Sequence, residues 1–551
     1  MKRLYALLAS FMLLCSVSVV SAAAPDVSAM PEEFVVRAYY RNIEDISRLV
    51  DYDVWEYNNL KEHYVLVAVS HAQYAELVKA GWRLEIDSDA SAQIDPERLR
   101  GILDAYRNVD AIYADLDNIG ATHPSIVDLV DYGDSYCKTQ GGCVTLGGES
   151  EPGYDLRAVR ITNRAIPGPK PVFFLMANIH AREITTPELA MRWIDELTQG
   201  YGVDADITWM VDNEELWVIP TVNPDGRWVV DLGLQPRYGS DRFFQRKNED
   251  RDNGCNTWPP RSSSQYGIDL NRNHSFLWNT GGSSNMPCSE TYRGPSASSE
   301  VETTALQNLV LSLYEDRRGD SLTDPAPLDT SGFFLTLHSY ANLVLRPWGT
   351  TSQPTPNETQ LAAIGQKLST YNHYESCQSN TCLYETSGTS DDWAYGTLGV
   401  PAMTFEIGNA FMPAYSVIDS QQWPDNGPAF LYLARIARAP YMLINGPDAA
   451  KLKLTQVDAT HVAISAVIDD RRNGNQHVAS AVYSVDHAYW QAGYVPRPMA
   501  PKDGSADAPL EVFRGMINTA PLSPGKHTIF VRGTDASGNA GPVSAIFLNK
   551  P

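Results

Sequence analysis

The chain has 551 residues, enough for several domains that each have a hydrophobic core. Hydrophobic residues make up 43% and charged residues 20%, as in an ordinary soluble globular protein. The formal net charge is −23 and no Lys/Arg-rich run offsets it, which argues against nucleic acid or an anionic membrane surface as the main partner.

The N-terminus has the three-part layout of a secretory signal. Lys2 and Arg3 precede an apolar run, and small residues follow it up to Pro25. The apolar core is shorter than the ~20 residues that a membrane-spanning helix needs. We therefore predict a signal peptide over residues 1–24, cleaved between Ala22 and Pro25. The mature protein would be secreted, extracellular or periplasmic, and not an integral membrane protein.

The cysteines predict disulfide bonds. The chain has seven, and removal of the signal removes Cys15 and leaves six, an even number that suggests pairing in an exported protein. The stretches "CKTQGGC" and "CQSNTC" are typical of small local loops, which leaves Cys255 to pair with Cys288. Six cysteines allow fifteen pairings, so this one is a hypothesis. A thiolate zinc site is the alternative, but no CxxC pair supports it.

Residues 25–100 are predicted to form a small separate unit. Strand composition in "EFVVRAYY", "YVLVAVS" and "WRLEID" alternates with helical periodicity in "NIEDISRLV" and "HAQYAELVKAG". The order approximates β-α-β-β-α-β, an open α/β sandwich. The last stretch, "DSDASAQIDPERLR", is polar, lacks apolar periodicity and ends in basic residues, which is typical of a cleavable linker.

Residues 101–442 are predicted to form an α/β domain with a mixed, largely buried central sheet flanked by helices. Near-continuous apolar runs typical of central strands occur in "PVFFLMANI", "LWVIPTVN", "GFFLTLHSY" and "PAMTFEIG". "TPELAMRWIDELTQ" and "SEVETTALQNLVLSLYED" have the apolar spacing of helices. Residues 446–551 contain short alternating strands separated by turn-rich stretches, which predicts a C-terminal β-sandwich without a catalytic constellation.

A metal site is suggested by the stretch "HARE". His180 and Glu183 would supply two of the three ligands of a His₂Glu zinc site, although HxxE alone more often marks a satisfied buried histidine. His338 ends an apolar strand, where open α/β sheets place ligands, and is the best third candidate. Glu406 lies inside another apolar strand, where a carboxylate is costly unless it is functional or paired. It could be the base that activates water.

Eight motifs together carry a resemblance to a known family. They are "HARE", "NPDG", "FQRKN", "GIDLNRN", "YRGPSASSE", "LHSYANLVLRPWG", "YETSGTSDDWAYG" and "TFEIG". In this order they resemble the zinc metallocarboxypeptidases of the carboxypeptidase A/B/T type over residues 101–440. Residues 25–100 resemble, more loosely, the activation prosegment of the same family.

The resemblance implies roles for individual residues. One Zn²⁺ per catalytic domain would be held by His180, Glu183 and His338. Glu406 would be the general base that takes a proton from zinc-bound water and later delivers one to the leaving amine. Arg246 would stabilise the oxyanion of the tetrahedral intermediate.

Substrate contacts are implied as well. Arginine grips a carboxylate with two parallel hydrogen bonds, as an exopeptidase requires. Asp391 occupies the pocket floor in this family and would favour basic, or both basic and apolar, C-terminal residues. The alternative is that Asp391 and Asp392 face solvent. Asp269 could orient His180. The residues implied to bind substrate are Asn271 and Arg272 on the terminal carboxylate, Tyr384 closing over it, Asp391, and Arg182 and Tyr340 further along the peptide.

The leading interpretation is a secreted zinc carboxypeptidase that acts on peptide and protein C-termini. Its prosegment would be an intramolecular inhibitor until the chain is cut near Arg98 or Arg100. One rival is a cell-wall peptide amidase, which would more often lack the Asn271, Arg272 and Tyr384 set. Another is an inactive binding protein on the same fold, which would be expected to lack Glu406 or a zinc ligand.

Overall fold

The computed structural model describes residues 27–94, 105–233, 235, 238 and 243–551. The predicted signal peptide and the predicted cleavage positions at Arg98 and Arg100 lie outside the described residues. Within the described ranges, no helix has the length and apolarity to cross a membrane.

The first unit, residues 27–94, is a four-stranded antiparallel sheet covered by short helices, and we call it the N-terminal unit. The strands are arranged β2-β3-β1-β4. Compared with the predicted order β-α-β-β-α-β, the first helix is a 3₁₀ helix and a short helix follows the last strand. Its elements are β1 (Glu33–Tyr39), a 3₁₀ helix (Ile43–Leu49), β2 (Asp53–Asn59), β3 (Tyr64–Ser70), α1 (His71–Lys79), β4 (Arg83–Ile86) and α2 (Ser88–Ser91).

The start of the predicted linker is folded, which corrects the prediction for residues 87–94. Asp87 caps α2 by accepting a hydrogen bond from the Ala90 amide at 2.9 Å, and its other oxygen accepts one from Arg37 Nε at 2.8 Å. Ser91 Oγ accepts a hydrogen bond from the Val35 amide at 2.9 Å. The polar residues Asp87 and Ser91 therefore occur here because they make hydrogen bonds in a folded segment, and Asp87 caps a helix. Their polarity does not indicate an unstructured linker.

The central unit, residues 105–443, is built on an eight-stranded mixed sheet with the order β13-β12-β14-β11-β9-β10-β8-β5. β10, β9, β11 and β14 run parallel to one another. Every residue of β9, β11 and β14 is buried, as expected for strands covered on both faces. The strands are β5 (Val127–Asp134), β8 (Asp155–Ile161), β9 (Val172–Ala177), β10 (Glu215–Ile219), β11 (Phe333–His338), β12 (Leu343–Arg346), β13 (Glu375–Gln378) and β14 (Ala402–Glu406), with a separate pair β6 (Cys143–Val144) and β7 (Ser150–Glu151).

Helices cover this sheet: for example, α3 and α8 pack on β5, and α5 packs on β9. Short 3₁₀ and π segments occur at Leu270–Arg272 and Ile418–Gln422. The helices are α3 (Val109–Thr122), α4 (Tyr136–Thr139), α5 (Thr185–Gly200), α6 (Ala205–Asn213), α7 (Pro224–Gly233), α8 (Val301–Leu313), α9 (Glu358–Asn372), α10 (Ser379–Cys382), α11 (Ser390–Leu398), α12 (Trp423–Ile436) and α13 (Pro440–Leu443).

Three disulfide bonds hold loops of the central unit. They join Cys137 to Cys143, Cys255 to Cys288, and Cys377 to Cys382. The pairing expected from the sequence is therefore confirmed, and a zinc site built from these thiolates is not formed.

The last unit, residues 448–551, contains seven antiparallel strands in the order β15-β16-β19-β18-β17-β20-β21. A sandwich of two separate sheets is not confirmed, because β18 pairs with both β17 and β19 and joins the strands into one ladder. β15 also lies close to β20 and β21, so the ladder curls back toward itself. The strands are β15 (Asp448–Gln456), β16 (His461–Asp469), β17 (Val478–Val485), β18 (Arg497–Pro501), β19 (Leu510–Asn518), β20 (Gly525–Asp535) and β21 (Ser544–Lys550).

Candidate active site

The carboxyl ends of two parallel strands, β9 and β11, bring the predicted metal ligands together. His180 follows the end of β9, Glu183 lies just before α5, and His338 is the last residue of β11. Because β9 and β11 are parallel neighbours, their carboxyl ends meet at one edge of the sheet. One ligand atom from each of these side chains lies within 4.8 Å of the others.

The donor atoms of this cluster fit a zinc ion. His180 Nδ1 is 2.7 Å from Glu183 Oε1, and His338 Nδ1 is 3.3 Å from Glu183 Oε2. The two imidazole nitrogens are 3.1 Å apart, and all three side chains are buried. Burial and the nearby Arg246 lower the pKa of His180 and bring that of His338 to about 4. Both imidazoles are therefore neutral at pH 7, the form that binds a metal.

Asp269 links the histidine cluster to Arg246. Its Oδ1 lies 3.4 Å from His180 Nε2, and its Oδ2 accepts a hydrogen bond from Arg246 Nε at 3.0 Å. Burial opposes the ionisation of Asp269, but Arg246 and His180 hold its pKa well below the usual value. Asp269 therefore stays ionised and fixes the orientation of both neighbours, as the sequence suggested for His180.

Glu406 lies beside the histidine cluster. It is the last residue of β14 and stands opposite His338 in the register of the β11–β14 pair. Both residues line one cavity of about 50 Å³. Burial raises the pKa of Glu406 well above its usual value, and the carboxylates of Glu56 and Glu183 raise it further.

The predicted carboxylate-binding residues line the same cavity. Asn271 and Arg272 lie in the short 3₁₀ helix, which Asp269 caps by accepting a hydrogen bond from the Asn271 amide at 2.9 Å. The side-chain oxygen of Asn271 accepts a hydrogen bond from the Ser390 amide at 2.9 Å, which leaves its Nδ2 donor for the cavity. Tyr384 completes this wall of the cavity.

Asp391 is buried and lines the cavity, so the alternative in which Asp391 and Asp392 face solvent is wrong. Asp392 turns away and accepts hydrogen bonds from the backbone amides of Gly349 at 3.0 Å and Thr350 at 3.1 Å. Burial and then Asp391 raise the pKa of Asp392 to about 8. The two adjacent carboxylates therefore have different surroundings, and of the two Asp391 is the one that lines the cavity.

The N-terminal unit reaches into the site through β2, a strand whose role the sequence reasoning missed. Glu56 Oε1 accepts a hydrogen bond from Arg246 Nη1 at 2.8 Å, and Glu56 itself lines the cavity. The Tyr384 hydroxyl donates to the Val54 carbonyl at 3.2 Å. The available signal was an acid and a tryptophan side by side in "DVWEYNN", a segment otherwise too polar to predict a buried strand.

Arg182 and Tyr340 also contact residues of β2. The guanidinium of Arg182 lies 3.2 Å from Asp53 and 3.0 Å from Glu290. Trp55 packs edge-on against Tyr340, with ring centroids 6.0 Å apart. Arg182 and Tyr340 are not among the residues that line the cavity. The strand β2 nevertheless contacts four predicted site residues: Arg182, Arg246, Tyr340 and Tyr384.

Comparison with known proteins gives a consistent result. Residues 112–423 match the family Peptidase_M14, described as zinc carboxypeptidase. A zinc carboxypeptidase of Simulium vittatum is 30% identical over 311 residues, which is 55% of this chain and 85% of that protein. Carboxypeptidase B of Astacus astacus is 30% identical over 313 residues, 55% of this chain and 86% of that protein.

Solved structures share the fold. The carboxypeptidase A structure from Helicoverpa armigera has a TM-score of 0.55 at 19% identity, covering 74% of this chain and 98% of that chain. Thrombin activatable fibrinolysis inhibitor has a TM-score of 0.53 at 18% identity, covering 74% of this chain and 99% of that chain. At these identities the likeness shows the fold alone.

Proposed function

Because the chain belongs to the zinc carboxypeptidase family and is therefore a hydrolase, we propose that it removes single residues from peptide and protein C-termini with the residues of the cleft described above. The observation that carries this proposal is that His180, Glu183 and His338 lie in the same cleft as a buried glutamate and an arginine suited to a carboxylate. The catalytic domain is assigned to residues 101–442.

His180, Glu183 and His338 would hold one zinc ion. Two neutral imidazoles and a carboxylate are the donor set of catalytic zinc sites. Zinc, when bound, supplies Lewis-acid chemistry that activates water and polarises an amide carbonyl. Asp269 would keep His180 oriented through its contact with Nε2.

Glu406 would carry the protons of the reaction. As general base it takes a proton from the attacking water, and as general acid it delivers one to the nitrogen of the leaving residue. Arg246 would stabilise the oxyanion that develops when the carbonyl is attacked, because its guanidinium is held in place by Asp269.

Asn271, Arg272 and Tyr384 would bind the terminal carboxylate of the substrate. An exopeptidase must recognise this group, and a guanidinium with an adjacent amide donor matches its two oxygens. Arg182 and Tyr340 would contact residues further along the peptide. A panel of N-blocked dipeptides that differ only in the C-terminal residue tests the assignment; no hydrolysis of any member by the proteolytically activated enzyme would overturn it.

Specificity is assigned to Asp391, which would attract a C-terminal Lys or Arg side chain while the enzyme still accepts apolar residues. In the Asp391→Asn variant, kcat/KM for a C-terminal Arg substrate should fall at least about tenfold, since a hydrogen bond to a charged group contributes roughly 1.5–3 kcal/mol. The value for a C-terminal Phe substrate should stay unchanged. Glu385→Gln, which changes a carboxylate in the loop before α11 that does not line the cavity, is the matched control. Equal losses on both substrates would contradict the assignment.

Secretion is part of the proposal. It is supported by the signal-like N-terminus and by the three disulfide bonds, which persist in oxidising compartments. Recovery of the protein from the exporting cell's medium or periplasm, with an N-terminus between Ala22 and Pro25 before activation, would support it. An unprocessed cytosolic protein would contradict it.

The prosegment, assigned to residues 25–100, would keep the enzyme latent. Glu56 binds the arginine assigned to the oxyanion, Asp53 binds Arg182, and the Val54 carbonyl accepts the Tyr384 hydroxyl. A peptide substrate needs these same groups, so it cannot enter while β2 lies in the cleft.

Cleavage of the full-length protein by trypsin, after Arg98 or Arg100, should therefore raise activity on a C-terminal Lys or Phe peptide. Glu56→Gln should raise the activity of the uncleaved protein several-fold, because it removes the ion pair that ties the N-terminal unit to Arg246 and leaves Asp269 as the carboxylate bound to this arginine. Glu85→Gln, an exposed acid in the same unit, should leave latency intact. Equal activity before and after cleavage would contradict the inhibitory role.

A further inference from the structure

A second set of buried carboxylates lies in the central unit and does not line the active-site cavity. Glu151 ends β7 and is 1% exposed, and Asp225 lies in the first turn of α7 and is 0% exposed. A carboxylate oxygen of each and the Cys137 sulfur lie within 4.8 Å of one another. Cys137 is bonded to Cys143, so its sulfur has no proton to donate.

One oxygen atom of each carboxylate in this pair has no hydrogen-bond partner within the part of the chain that the structure describes. Asp225 Oδ2 accepts a hydrogen bond from the Cys137 amide at 2.7 Å, but Asp225 Oδ1 has no hydrogen-bond partner among the described residues. Glu151 Oε1 likewise has none, and Glu151 Oε2 meets only the disulfide sulfur, at 3.6 Å. A buried acceptor without a donor is costly unless a proton or a cation lies beside it.

The surroundings add negative charge. Asn248 Nδ2 donates to Glu300 at 2.7 Å and to Glu302 at 3.2 Å, and both of these carboxylates are buried. Glu302 also accepts a hydrogen bond from the Tyr136 amide at 2.7 Å, next to the residue that binds Asp225. Arg251 brings a positive charge to this region, but it pairs with a fifth carboxylate, Glu249.

Burial and mutual repulsion oppose ionisation of the pair. Burial, followed by the charge of Asp225, raises the pKa of Glu151 well above its usual value. Burial, followed by the charge of Glu302, raises the pKa of Asp225 to about 7. Without another positive charge these carboxyls cannot all be ionised at neutral pH.

We propose that Glu151 and Asp225 bind a divalent cation, Ca²⁺, at a site distinct from the zinc cluster. Carboxylate oxygens are the ligands that calcium prefers. Metals that prefer thiolate ligands are not favoured here, because the sulfur of Cys137 is in a disulfide bond and is not a thiolate. The ion would tie β7 to the start of α7 and, through the Asp225 contact with the Cys137 amide, to the disulfide loop. Its role would be to stabilise the central unit.

Calcium titration of the full-length, zinc-loaded protein tests the proposal. After dialysis against calcium-free buffer, the melting temperature should rise by several degrees as CaCl₂ approaches saturation, because a ligand that binds the folded state stabilises it. In Glu151→Gln this rise should disappear. Glu196→Gln, the same change on the exposed face of α5, should keep it.

Two results would overturn the proposal. One is a Glu151→Gln variant that keeps the calcium response of the wild type, which would place the ion elsewhere. The other is a dialysed wild-type protein that contains no calcium by elemental analysis and whose melting temperature does not respond to CaCl₂. In that case the pair shares a proton instead. The second result depends on the wild type alone, so it applies even if the variant fails to fold.

Discussion

Replacing Glu406 with glutamine is expected to lower kcat of the activated enzyme by about 10²–10⁴-fold, the usual contribution of a general acid or base. Glutamine has nearly the same shape but can neither take a proton from water nor deliver one to the leaving amine. Because Asn271 and Arg272 line the cavity independently of Glu406, substrate binding should persist. The loss should therefore appear in kcat, with KM little changed.

The matched control for this variant is Glu214→Gln. Glu214 is also a fully buried glutamate of the central unit, but it precedes β10 at the amino end of the parallel strands, away from the cleft. Steady-state kinetics on a C-terminal Lys or Phe dipeptide should give near-normal turnover for this control. Normal turnover by Glu406→Gln itself would show that the proposed proton transfers are wrong.

Removal of the metal is expected to abolish activity. A zinc chelator should eliminate hydrolysis, and one equivalent of Zn²⁺ per chain should restore it, because water activation and carbonyl polarisation both depend on the ion. Glu183→Gln should lower the zinc content found by elemental analysis, since it removes the carboxylate that contacts both histidines.

His461→Asn provides the control for the ligand variants. His461 is a solvent-accessible histidine of β16, bound to Asp458, and its loss should leave zinc content and activity unchanged. Full activity in a preparation with no measurable zinc would contradict the metal assignment. Activity that a chelator does not reduce would contradict the metal assignment as well.

The parts of the fold that position the site were predictable because they depend on local pattern. The buried runs of β9, β11 and β14 are apolar along their whole length, as strands covered on both faces must be. His338 and Glu406 end two of these strands, and parallel strands meet at their carboxyl ends. Their proximity therefore follows from the topology, and the family motifs supplied the remaining residues.

The contacts of the N-terminal unit were not predictable in the same way. Glu56 and Arg246 are 190 residues apart, both are buried, and their contact joins two units. Because Asp53 and Glu56 are acidic, the sequence of β2 resembles that of an exposed strand. Their partners, Arg182 and Arg246, lie in the central unit and cannot be identified from the local sequence. Glu151 and Asp225 were not predictable as a pair either, because they are far apart in the sequence and meet only where the start of α7 comes close to β7.

The single ladder of the C-terminal strands, where the sequence predicted a sandwich, has a more local cause. β18 contains Pro498 and Pro501, which argue against a strand that pairs on both sides. Here β18 is short, and its pairs with β17 and β19 involve few residues, so the prolines are tolerated. The link between the two halves of the ladder was hidden for this reason.

We propose that this cleft hydrolyses the last peptide bond, next to a free terminal carboxylate. Mass spectrometry of the products from one peptide, offered as the free acid and as the C-terminal amide to the activated enzyme, tests it directly. We expect single residues to be lost from the C-terminus of the acid, and the amide to remain intact because Arg272 has no carboxylate to bind. Internal cleavage, or equal hydrolysis of both peptides, would contradict the claim.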